Sequence, residues 1–147
     1  MLVKQENSRK INALLWTIQI LLALLFLFAG GMKLIMPIEA MNAQASIPLP
    51  GLFLRFIGVA EVLGAIGLIL PGIVRIQQRL TPLAALGLMI IMVGAVGLTL
   101  AGGDVATATI PLVVGFLLAF VAYGRSGRRV AAGATGSLAR RFGLPSA

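Results

Sequence analysis

Four apolar runs, each about as long as a bilayer is thick, constrain this chain more than any other feature. They are Ile11 to Met36, broken only by Lys33; Leu52 to Leu70, holding Arg55 and Glu61; Thr81 to Gly103; and Val105 to Gly124, the last two free of charge. A helix rising ~1.5 Å per residue needs roughly 20 residues to cross ~30 Å of hydrocarbon, so each run meets or approaches a span. Hydrophobic residues make up 59% of the 147 and the mean hydropathy is +1.05, far from the range of soluble domains. The reading is an all-α membrane protein, a four-transmembrane-helix bundle. Residues 1–125 are read as the four-helix domain and 126–147 as a basic cytoplasmic tail, flexible or lying on the inner leaflet through SLARRFGL. The first run is too long for the core of a cleaved signal and reads as a retained span.

Charge fixes the expected orientation. Lys4, Arg9 and Lys10 precede the first span, Arg75 and Arg79 separate the second from the third, and Arg125, Arg128, Arg129, Arg140 and Arg141 follow the fourth. The other two loops carry Glu39 and Asp104. The positive-inside rule then places both termini in the cytoplasm, an N-in/C-in arrangement in a bacterial inner (plasma) membrane. The net charge of +8 is thereby read as a topology signal with attraction to anionic lipid, not as a nucleic-acid site. With no Cys and no His, the chain offers no disulfide, no His-ligated haem, no Cys-bound iron-sulfur cluster and no usual zinc site. No metal site is expected, and any redox role needs an organic cofactor such as a quinone.

Local signals divide the chain further. The first span closes at Met36-Pro37, with Trp16 as an anchor near the inner interface. The loop Pro37 to Gly51 can hold a short amphipathic or re-entrant piece through Ile38, Met41 and Ala45, ended by Pro48 and Pro50. The second span is expected to end at Pro71, and Thr81 to cap the third ahead of Pro82. Small residues at Gly58, Gly64, Gly87, Gly94, Gly115 and Ala119 are expected to let helices approach closely. The short connection at Gly102, Gly103 and Asp104 makes the last two spans antiparallel neighbours. Thr17, Gln19, Thr99, Thr107 and Thr109 are read as hydrogen-bonding to backbone or neighbouring helices.

Three ionisable residues within the spans are the candidate site. A carboxylate at mid-membrane costs on the order of 3 kcal/mol or more, so Glu61 must be protonated, paired or held in a wet cavity. Gly58, Gly64 and Ala65 share its helix face, so Glu61 should look toward protein. Lys33 and Arg55 sit at similar depth near the outer ends of the first two spans, where each can snorkel. Together they suit an anionic or carbonyl-bearing group, or a counter-charge for Glu39 and Glu61. Glu61 is the candidate catalytic residue, and Lys33, Arg55 and Glu61 are the candidate ligand-binding set. A structural ion pair and proton or ligand chemistry both remain open for Glu61.

The segments FLFAGGMKL (Phe26 to Leu34), IPLPG, RFIGVAEVLGAIGLILP, PLAALGLMIIMVGAV and the final YGR resemble the DoxX-like family of small bacterial four-helix membrane proteins over roughly residues 10–125. The strongest parts are Arg55-x-x-Gly58-x-x-Glu61-x-x-Gly64 and Ala29-Gly30-Gly31 leading to Lys33. The resemblance implies an accessory or assembly subunit of a larger membrane complex, of the electron-transfer kind. It implies alternatively a quinone-reactive oxidoreductase subunit with Lys33, Arg55 and Glu61 at the quinone head group. Expected partners are membrane lipids and a membrane protein or a second copy, with no nucleic acid. Relatives often carry a His near the outer end of the third span, where this chain reads Gly97-Leu98-Thr99-Leu100.

Overall fold

The structure, a computed structural model, describes the backbone of residues 2–75, 77 and 79–141, with side chains over the same stretch from residue 5 to residue 126. Five helices follow in order: α1 Leu2–Ile35, α2 Ile38–Ala43, α3 Gly51–Val74, α4 Leu80–Ala101 and α5 Val105–Arg141. All but α2 are long and apolar enough to cross a membrane. This is the four-span bundle expected, and α2 is the short helical piece expected in the first long connection. The major contacts run α1 to α3, α3 to α4 and α4 to α5, with a lesser seam between α5 and α1. Both ends of the described chain therefore emerge on the same side of the bundle.

Buried positions recur every three or four residues. On α3 they are Leu54, Gly58, Glu61, Ala65 and Leu68, and on α4 Thr81, Ala85, Leu88 and Met92. That spacing keeps one face of each helix on a shared seam while the rest meets lipid. Leu22, Ala23 and Phe26 of α1 and Leu118, Val121 and Ala122 of α5 complete one continuous apolar core.

Three local expectations are corrected. Pro71 does not end the second span; α3 runs through it to Val74. Losing one N–H bond is tolerated inside a membrane helix, where neighbouring helices re-satisfy the freed groups. The stop comes at Arg75, which adopts the left-handed conformation (φ 55°). Thr81 does not cap α4: the helix has already begun at Leu80, and Thr81 is buried within its first turn. Finally, the chain does not lose its helix at residue 126. α5 continues to Arg141, while the last residues of the expected tail, 142–147, lie outside the described ones.

The connections at the end of the bundle away from the chain termini are tied down. Asn42 clamps the α2 loop, its side-chain nitrogen donating to the Leu49 carbonyl at 3.0 Å and its oxygen accepting from the Leu49 N–H at 3.0 Å. The same loop lays Ser46 so close against Gly102 that a side chain there would collide with it. Between α4 and α5, Gly103 takes a left-handed φ of 84° that a larger residue would resist. Asp104 then caps α5, accepting the Thr107 N–H at 3.0 Å.

Candidate functional site

Lys33 on α1 and Glu61 on α3 meet directly. The ammonium donates to both carboxylate oxygens, at 3.1 and 2.9 Å. Glu61 is 2% exposed, whereas the Lys33 side chain keeps 29% of its surface accessible. The pair is thus sealed on the carboxylate side and open on the ammonium side. Backbone proximity makes it reachable. A Cβ placed on Gly30 would stand 2.7 Å from the Gly58 carbonyl oxygen and 2.9 Å from Val62, and one on Gly58 would stand 3.0 Å from the Lys33 Cβ. Gly30 and Gly58 let α1 and α3 touch backbone to backbone one turn from the ion pair.

Arg55 is not the counter-charge to Glu61; its guanidinium donates to the carbonyls of Lys33 at 2.6 Å and Met36 at 3.0 Å. These are among the last carbonyls of α1, which lack partners within the helix. Arg55 therefore closes the C-terminal end of α1, with its positive charge at the negative end of the helix dipole. All three candidate residues are brought into one cluster, but only Lys33 and Glu61 form a pair.

The glycines expected at helix contacts divide. Gly58 lies against α1, and Gly64 lies against Leu88 of α4, where a Cβ would come within 2.6 Å of that side chain. Gly115 makes only ordinary contact with Met92, at 3.6 Å. It lines, with Ala119, a groove of about 350 Å³ between α4 and α5. Gly87 and Gly94 do not join two helices of this chain. A Cβ on either would meet nothing within 4 Å, and the same holds for Gly97. Their face of α4 points outward.

A second polar cluster, opposite the first, was hidden in the sequence. Gln19 on α1 is 1% exposed; its amide donates to the Leu68 carbonyl on α3 at 2.6 Å. Its oxygen accepts from the Arg125 guanidinium on α5 through Nε at 2.7 Å and through Nη2. Arg125 also reaches the Asn12 oxygen at 3.3 Å and lies 5.2 Å over the Trp16 ring. Trp16 is not simply an interfacial anchor, because its six-membered ring fills the place that a side chain at Gly72 would take. The signal available was the spacing Asn12, Trp16, Gln19, one helical stripe of hydrogen-bonding side chains in an otherwise apolar helix. Nothing in sequence tied that stripe to Arg125, more than one hundred residues away.

Chemically, the first cluster can hold a charge pair inside a membrane and present one ammonium edge outward. The threonines expected to bond locally do so: Thr17 to Ala13, Thr99 to Ala95 and Thr109 to Ala106, each through a carbonyl within its own helix. Together the four spans and the family match below identify a small, multi-pass integral membrane protein. No curated protein and no solved structure matches the chain significantly. The sequence model of the DoxX-like family matches residues 17–121, which takes in both partners of the ion pair, the Arg55 bridge and most of all four spans, and the chain accordingly belongs to the DoxX-like family.

Proposed function

We propose that this protein is an accessory or assembly subunit of a larger membrane complex of the electron-transfer kind. One observation carries the reading: the charged groups within the spans are engaged with one another and with their own backbone. Glu61 has its two oxygens on Lys33, and Arg55 has its donors on α1 carbonyls. A carboxylate so engaged serves first to hold α1 against α3. What the bundle offers outward is surface, above all the face of α4 where Gly87, Gly94 and Gly97 leave the backbone open to a neighbouring helix. The setting we propose is a bacterial plasma membrane with both termini cytoplasmic, supported by the Lys and Arg distribution.

The test is the native mass of the particle after gentle solubilisation. The chain is expected to travel with larger partners, and recovery as a free monomer alone would overturn the reading. A second reading, a quinone-reactive subunit, is favoured by the exposed edge of Lys33, which could donate to a quinone carbonyl while Glu61 handles a proton. It requires Glu61→Gln to abolish quinone binding in a protein that still inserts. An unchanged quinone titration removes it.

A further inference from the structure

Ten of the twelve Lys and Arg residues fall at one end of the bundle: Lys4, Arg9, Lys10, Arg75, Arg79, Arg125, Arg128, Arg129, Arg140 and Arg141. Only Glu6 opposes them there, and it is engaged with Lys10 at 2.8 Å. Two helices extend beyond this end. Contacts of Trp16 with Gly72 and of Leu15 with Gly124 set the level near which α3 stops. From Leu15 α1 reaches back to Leu2, ~20 Å further at about 1.5 Å per residue, with residues 5–10 all exposed. α5 continues unbroken from Ser126, where its apolar span closes, to Arg141, a further ~22 Å.

That length decides what the arm can touch. The headgroup layer adds roughly 5–8 Å on each side of the hydrocarbon, and at physiological salt a surface potential fades over about 8 Å. An unbroken helix cannot turn flat onto the bilayer, and ordinary tilts near 20° shorten its reach only slightly. Arg75, Arg79 and Arg125, and the backbone at 128–129 only ~3–5 Å past Ser126, lie within the thickness of the headgroup layer. The backbone at 140–141 lies beyond it, ~21–22 Å past Ser126. The arm between, VAAGATGSLA, has two glycines and no acidic residue to pair along it. A helix of this length and composition is marginal alone in water and gains from a surface to lie on.

We propose that the projecting part of α5, alongside that of α1, is a docking arm for the acidic surface of a water-soluble protein. This rests on the accessory-subunit reading and names the chemistry of one partner. Charge complementarity supplies the attraction and the register of arginines along the arm supplies the reach.

The chain has no cysteine, so Thr135→Cys places a single nitroxide on the arm of the full protein in anionic phosphatidylglycerol nanodiscs. The expected result is a label open to a water-soluble relaxant and slowed when poly-L-glutamate binds. Replacing Arg140 and Arg141 by Gln should weaken that binding by on the order of fivefold, as two charge contacts would. Replacing Arg75 and Arg79 by Gln should change it by less than about twofold. A label sheltered against the bilayer, equal weakening by the two sets of substitutions, or duplex RNA binding as tightly as polyglutamate would each overturn the proposal. Native mass separates its failure from that of the wider reading. A wild-type chain extracted alone removes the accessory role, whereas a complex that survives replacement of Arg140 and Arg141 removes only the arm.

Discussion

The bundle is tied at both ends, by opposite chemistry. At the acidic end a full ion pair, Lys33 with Glu61, joins α1 to α3 above a glycine contact. At the basic end a neutral amide, Gln19, joins α1 to both α3 and α5, with Arg125 as its charged partner. A buried ion pair carries a desolvation cost that its attraction must repay, so it adds little net stability and punishes the loss of either partner. A buried amide carries a smaller cost and a smaller penalty. The difference also separates the helices: α1 and α3 are fastened three times, by the ion pair, by Arg55 and by Gln19, α5 is fastened through Arg125, and α4 packs through apolar side chains such as Leu88 and Met92.

The comparison breaks most readily at the ion pair. Glu61→Ala should destabilise the protein by about 3 to 5 kcal/mol, because the Lys33 ammonium is left partly buried without its carboxylate. Lys33→Met should cost a similar amount. The double replacement Lys33→Met with Glu61→Leu, set against each of those two substitutions alone, should recover most of that loss, since no orphaned charge remains. Equilibrium unfolding in mixed micelles, followed by circular dichroism, checks the cycle. Additive losses in the double variant would mean that Lys33 and Glu61 are not energetically coupled and would remove the pair as a fastening.

The amide end should respond less. Gln19→Leu removes one bond to the Leu68 carbonyl and two from Arg125, yet it replaces the amide by a side chain suited to the core. Interhelical hydrogen bonds in membranes average about 0.6 kcal/mol, so a loss of roughly 1 to 2 kcal/mol is expected by the same unfolding measurement. A loss as large as that of Glu61→Ala would erase the distinction between the ends. Hydrogen exchange should sharpen it, with faster exchange on α5 next to Arg125 and unchanged protection around Gly30 and Gly58.

Much of this was legible in the sequence, and the limit is geometric. The four spans, the short helix at Ile38 and the adjacency of α4 and α5 follow from length, apolarity and connection size, which act locally. Glu61 facing protein followed from the small residues on its stripe. Its partner did not, because Lys33 and Arg55 lie at similar depth and only the helix rotation set by Gly30 on Gly58 aims Lys33 at the carboxylate and Arg55 at the end of α1. Gly87 and Gly94 show the complementary limit: a small residue permits a close approach without naming what approaches. The Gln19 cluster depends on a long-range meeting of α1 with α5 that no local pattern encodes. Pro71 illustrates a rule learned in water that the membrane relaxes.

The smallest expected effect lies at the acidic end and depends on pH. Asp104 caps α5, and the Thr107 side chain, the Thr107 N–H and the Ala106 N–H hold its carboxyl below the ordinary value of 3.8. These bonds favour the charged form, so the folded protein binds the Asp104 proton less readily than the unfolded chain. The sign follows: the contribution is fully present above the ordinary carboxylate value and is lost as pH falls through the depressed one. Below about pH 4 the wild-type protein should therefore lose a small increment of stability that Asp104→Asn does not lose, because an amide oxygen still caps the helix without titrating. Thermal unfolding of both proteins from pH 7 to pH 3 checks this. Parallel curves would place the acid response elsewhere in the molecule and leave Asp104 as a cap whose charge contributes nothing to the acidic end.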